Sequence, residues 1–269
     1  MGSSTISLGL GLGGGKSATS SGTSGGGGGF ANEYSVSFDG TDDYLEIPQG
    51  AFDLGTGSWT FSFWFKADAL TTTSQTLFIV EGDGRSPSAR LGLFARANAL
   101  VISDWWNTNI TYTATISDGT WYHIVCRKEG SGNAAISLFV NGTKRASGYL
   151  STTSDFGDDQ ATTKVGDDQT ATYPFDGKID EFAFWNSALS DGGVSVGSPA
   201  SGDIANIYNG GVPNDIGTNG LNLNPVGWWR MGDNDGGTGN TVTDQGNGEN
   251  NGTLKNIASP NGFVTDVPS

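Results

Sequence analysis

The chain has 269 residues, 35% of them hydrophobic, with 44 Gly, 8 Pro and a formal charge of -15. That length and apolar content suffice for one substantial core plus a tail, and all-β domains of this size commonly stay single. The acidity argues against nucleic acid as a partner, because polyphosphate binding depends on Lys and Arg displacing counterions; it suits a salty exterior or a divalent cation, and equally a surplus of solvated Asp in turns.

Residues 1–30 are almost wholly Gly, Ser and Thr, with Lys16 the one charge. Such a composition makes a flexible linker. Within it Ile6, Leu8, Leu10 and Leu12 alternate with Ser7, Gly9 and Gly11, a short strand pattern with no neighbour in sequence to pair with. Two readings stand: an assembly anchor that adds as a strand to another subunit, and a disordered leader. No run approaches the ~18 apolar residues of a transmembrane helix, and no basic n-region precedes an apolar h-region. Neither a membrane span nor a signal peptide is expected, so the Asn-x-Thr triplets at Asn109, Asn141 and Asn251 read as turn chemistry rather than glycan acceptors.

From residue 31 onward, alternating aromatic segments are broken by Gly and Asp turns. In 58–67 Trp59, Phe61, Phe63 and Phe65 share one face and Ser58, Thr60, Ser62 and Lys66 the other, together with Trp64, which predicts a strand with one face buried. In 121–128 neither face is wholly polar, as expected of a central strand. The segment from Ile136 to Val140 meets Asn141-Gly142, a dipeptide that supplies the positive φ values of a tight hairpin. LFIVEGD, ALVISDWW and TATISDG predict further strands, and Ile204, Ile207 and Tyr208 predict one short surface helix capped by Ser201 or Asp203 and stopped at Gly210.

The succession SFDGTDDYLEI, GSWTFSFWFKAD, GTWYHIVCRKEG, ISLFVNGTKRAS, TTKVGDD, FDGKIDEFAFWNSALS and DIANIYNGG, over residues 34–211, resembles the laminin-G-like, concanavalin A-like lectin/glucanase jelly-roll family. The resemblance implies an all-β fold: a two-sheet antiparallel jelly-roll sandwich over residues 31–269. The segment WWRMGDNDGGTGNTVTDQGNGENNGTL resembles the one with which that family usually begins, so residues 226–257 are expected to supply a circularly permuted terminal strand and loop. The leader SLGLGLGGGKSA and the style of the C-terminal loops resemble members found among structural proteins of tailed bacteriophages. That implies a virion protein on the exterior surface, either a homo-oligomer or part of a larger assembly, with extracellular or cell-surface display as the alternative.

Chemistry is sparse. Hydrolases related to this family need two carboxylates about 5 Å apart, whereas the segment around Asp180 carries Lys178 and Phe182 at the flanking positions, so no catalysis is expected. His123 and Cys126 lie in an alternating apolar strand and read as packed, inert side chains. The resemblance implies a structural calcium helped by Asp180, with Asp43, Asp244 and Asn247 in loops near one edge; ordinary turn formation is the alternative for these Asp residues. Glycan binding is expected at Trp105, Trp106 and Asn107, where adjacent rings at a strand end point to opposite faces; the alternative is that both rings close the sandwich. A carbohydrate-binding module of a cell-surface protein and a degenerate glycoside hydrolase remain as further functions, and a host-surface glycan as a partner.

Overall fold

The computed structural model describes residues 30–48, 50–51, 54, 57–81, 90–104, 109–150, 162–168, 170–257 and 262–269. Strands are numbered in chain order. One eight-stranded sheet runs β10 (Thr143–Gly148), β9 (Ile136–Val140), β8 (Trp121–Lys128), β3 (Trp59–Ala67), β12 (Asp176–Trp185), β1 (Ser35–Asp39) and β16 (Phe263–Val264), with β13 (Gly227–Trp229) also paired to β12. The other runs β14 (Thr241–Val242), β15 (Gly252–Lys255), β2 (Tyr44–Ile47), β11 (Thr162–Val165), β4 (Gln75–Glu81), β5 (Arg90–Arg96), β6 (Ala99–Ser103) and β7 (Asn109–Thr113). Neighbouring strands are antiparallel in both sheets. The molecule is an all-β jelly-roll sandwich with one short helix, and no helix among the described residues is long and apolar enough to cross a membrane.

The main core lies between the sheets and is dominated by rings. Phe61 packs against Phe78 of the facing sheet at 4.7 Å between centroids and against Phe184 at 4.9 Å. Each such side chain contributes about 1.5–3 kcal/mol when fully buried, and Trp59, Phe61, Phe63 and Phe65 are all at or below 1% exposure. The alternation in β3 therefore does point its aromatic face inward. Its other face, expected to meet water, is buried as well. A second apolar layer covers it: Leu189, Ile204, Ile207, Ile216 and Trp228 pack on Val125, Phe139, Ala183 and Trp185 of the first sheet. Thr60 shows how the polar face is accommodated, since its Oγ1 donates to Ser187 O at 2.8 Å and accepts from Leu189 N at 3.0 Å.

The helix α1 (Asp203–Tyr208) belongs to this covering layer, with Ile204 and Ile207 buried beneath it, so it is a lid on the sheet rather than a surface ornament. Its N-cap is Gly202, and the Asp203 carboxylate instead accepts from Ser190 N and Oγ. The C-cap is Asn209 in the left-handed region, one residue before the expected stop at Gly210. TATISDG is a strand only at Thr113; beyond it Ala114 N still donates to Asn98 O and Ile116 N to Ala97 O, and Ile116 is buried in the core. The Asn141-Gly142 hairpin forms as read, with φ of 49° and 69°, and the Asn141 carboxamide accepts from His123 N at 2.8 Å.

β12 organises both ends of the described chain. β3 pairs along one side of it. On the opposite side β1 pairs with Asp176–Ile179 and β13 with Phe182–Phe184, so two short strands from distant parts of the sequence share one flank. The register of β12 shifts between Asp180 and Ala183, and Glu181 sits at φ 51° where those two strands meet.

Candidate functional site

A groove of about 550 Å3 opens on the outer face of the second sheet. Leu91, Leu93 and Ala95 of β5 and Leu100 and Ile102 of β6 face the core. Strand alternation then turns Phe94, Arg96, Val101 and Ser103 outward. Phe94 stands directly opposite Val101, and Ser103 opposite Asn109. Phe94 lies flat because residue 92 is glycine: a Cβ there would come within 2.7 Å of the ring. Phe94 and Val101, only 5% and 4% exposed, pack together at the base of this groove, with the half-buried Tyr173 at one side. Arg96 Nε donates to Ser74 Oγ at 2.9 Å, which pins the guanidinium at the wall, and Thr72, Thr73, Ser103 and Asn109 bring hydroxyls and a carboxamide to the rim. An apolar base with a few convergent polar groups is the general form of a small-molecule site. Trp105, Trp106 and Asn107 lie outside the described residues. The anchor positions Ile6, Leu8, Leu10 and Leu12 also lie outside them.

The residues expected to hold calcium are not gathered at one point. Asp180 is fully buried in β12, with Oδ2 accepting from Asn32 Nδ2 at 3.0 Å and Oδ1 from Glu181 N at 2.8 Å. Asp244 spends both oxygens on its own neighbourhood, accepting from the backbone N–H groups of Trp228, Gly246 and Asn250, which is the turn-forming role. Asn247 donates its backbone N–H to Pro225 O at 3.0 Å and presents its side chain to a separate cleft. Asp43 is 4% exposed; its Oδ2 accepts from Asp39 N, and its Oδ1 is buried without a partner. Carboxylate oxygens of Asp39, Asp42 and Asp43 come within 4.8 Å of one another. Asp43, Asp180 and Asp244 do not form one cluster of carboxylates among the described residues.

Sequence reading missed a buried network at the flank of β12. Glu181 Oε2 accepts from Trp228 Nε1 at 2.6 Å and Oε1 from Arg230 Nε at 3.0 Å. Arg230 Nη2 donates to Asp233 Oδ2 at 2.7 Å and also to Ala31 O, while Asp233 Oδ1 accepts from the backbone N–H groups of Glu33 and Tyr34. The guanidinium carbon lies 4.3 Å from the Phe30 ring and 5.2 Å from Trp228. Burial pushes the Glu181 carboxyl up to about 7 against the opposing pull of Arg230. Asp180 is raised well above its ordinary value by burial and by the charge of Glu181. His123 is held neutral by burial, its pKa lowered to about 3, with Nε2 2.9 Å from Ser62 Oγ; burial likewise drives the Cys126 thiol up, away from the reactive thiolate.

Two packed antiparallel sheets, one of them carrying an open groove, define a jelly-roll sandwich of the concanavalin A type. Residues 39–195 match the family model described as the concanavalin A-like lectin/glucanases superfamily, and the chain belongs to that superfamily. Among solved structures it is similar to a candidate carbohydrate binding protein from Bacteroides ovatus, with TM-score 0.59 and 17% identity over 89% of this chain and 62% of that one. The chain therefore spans less than two thirds of that protein's length. It is also similar to a heptameric SAP-like pentraxin from Limulus polyphemus, with TM-score 0.47, 16% identity and coverage of 59% and 78% of the two chains. A carbohydrate-binding module of a Ruminococcus gnavus sialidase gives TM-score 0.46 and 14% identity over 58% and 91%. A search of curated proteins finds no match.

Proposed function

We propose that the chain is a non-catalytic binding module whose groove over β5, β6 and β7 takes a carbohydrate. The observation that carries this is the apolar base of Phe94 and Val101 beside Tyr173, rimmed by Arg96, Ser103 and Asn109. Sugar rings offer apolar CH faces to such a base and hydroxyls to such a rim. The carbohydrate-binding description of the Bacteroides ovatus protein, which shares the fold, supports the same reading. The absence of a role in hydrolysis is supported by the engagement of the neighbouring carboxyls Asp180 and Glu181 with Asn32, Trp228 and Arg230. The test is a glycan array followed by titration calorimetry, comparing the wild type with Arg96→Ala and Tyr173→Ala. A bound glycan weakened about tenfold or more by either change supports the groove; a silent array with folded protein, or an affinity untouched by both changes, refutes it.

We further infer that the module is displayed outward on a larger assembly, of the virion kind, through the leader with Ile6, Leu8, Leu10 and Leu12. The alternation of aliphatic and small residues in an otherwise glycine-rich segment supports a strand that pairs with another subunit. Deleting residues 1–28 should leave the melting temperature intact and abolish incorporation into the particle; unchanged incorporation refutes the anchor.

A further inference from the structure

A second cleft, of about 380 Å3, lies between the connection at 215–225, the start of β13 and the turn at 245–247. Four of its carboxamides, Asn219, Asn234, Gln245 and Asn247, are exposed and have no side-chain hydrogen bond among the described residues. Their backbones are nevertheless held in place. Gln245 N donates to Trp228 O at 2.7 Å, and Leu221 N to Asp215 O at 2.7 Å. The 245–247 turn lies against β13 only because residue 246 is glycine, as a Cβ there would stand 2.7 Å from Gly227 Cα. The back wall is equally fixed: Phe30 and Trp228 stack at 6.4 Å and 10°, beside the anchored Arg230.

The charges at this cleft choose its ligand. Arg230 is offset by Glu181 and Asp233, so it does not draw in an anion, and the Asp215 carboxylate on the rim opposes one. Carboxamides donate and accept without charge, which matches the hydroxyl groups of a sugar. The half-buried Phe30 ring, backed by the buried Trp228, with convergent uncharged polar groups, in a volume near the lower end of the range for small-ligand sites, suits one or two rings. We propose that this cleft is a binding site for a neutral saccharide, separate from the groove on the second sheet.

The test uses the full chain and, as probes, xylotriose, mannotriose, laminaritriose and diacetylchitobiose, with trigalacturonic acid as the charged control, each titrated by calorimetry. The variants are Asn234→Ala with Asn247→Ala for the cleft, and Arg96→Ala with Tyr173→Ala for the groove. Neither cleft side chain has a bond to lose within the described fold, and an unchanged melting temperature checks this. The expected result is a neutral probe whose affinity falls about tenfold or more in the cleft variant, survives in the groove variant, and is not matched by the charged control. Loss in the groove variant alone overturns the cleft and leaves the groove standing. Failure of every neutral probe to bind overturns the cleft, and a silent glycan array would then remove the groove as well.

Discussion

Replacing Arg230 by Met removes the one cation of a buried cluster while keeping the length of its stem. The guanidinium is 8% exposed and touches Glu181 at 3.0 Å and Asp233 at 2.7 Å, and Asp180 lies next to both acids in the same interior. Removing one partner of a buried ion pair costs about 3–5 kcal/mol, because the remaining charge is left desolvated. For a chain of this size each kcal/mol lowers the melting temperature by about 2–4 °C, so the expected loss is about 6–20 °C. The assay is thermal unfolding by circular dichroism at pH 8 and pH 5. At pH 5 the orphaned carboxyls take up protons and the loss should shrink to less than half. A loss below about 1 kcal/mol, or an equal loss at both pH values, would refute the account of this network as a charge-paired clasp between β12, the 30–34 segment and the residues after β13.

Glu181 should make the wild type lose stability between pH 5 and pH 8 relative to Glu181→Gln, while buried His123, with its pKa lowered to about 3, pulls the other way below its ordinary 6.5. Glu181 ionises near 7 in the folded protein against an ordinary 4.5, so its contribution is fully present below about 4.5 and lost as pH climbs through about 7. Asp180 shifts in the same direction as Glu181; the same pH dependence of the melting temperature in Glu181→Gln as in the wild type would sink the assignment. Gly92→Ala should displace the Phe94 ring and weaken groove binding at least fivefold, about 1 kcal/mol, while lowering the melting temperature by only a few degrees; calorimetry with the glycan found on the array decides it.

Alternation along single strands made the inward face of β3, the central place of β8 and the Asn141-Gly142 hairpin legible before any coordinates, because period-two burial and positive φ are local properties. The covering layer was not legible. Ser62 and Thr60 look solvent-facing in sequence, and what lies over them, Leu189 at Thr60 and Ile207 and Ile216 near Ser62, arrives more than a hundred residues later. The groove escaped for a different reason: Arg90 and Arg96 do mark the face of β5 that carries Phe94 as the outer one, but the residues that line the groove around it come from separate stretches of the chain, and the glycine that lets Phe94 lie flat has no signature of its own. Glu181 read as one of many acids because its partner Arg230 is remote in sequence and lies on the same flank only once β1 and β13 have both paired with β12. Asp244 was expected as a calcium ligand with turn formation as the alternative, and its carboxylate accepts from the backbone N–H groups of Trp228, Gly246 and Asn250.

The shared flank of β12 also dictates when this protein folds during synthesis. Until Gly227–Trp229 have left the ribosome, Phe182–Phe184 has no neighbour on that side, and Glu181 waits without its arginine. Strand β2, already paired with β11 on one side, likewise lacks its second neighbour until residues 252–255 emerge. The nascent sandwich therefore stays open along both sheets until most of the chain has been made, a stage at which unpaired edges invite association with other chains.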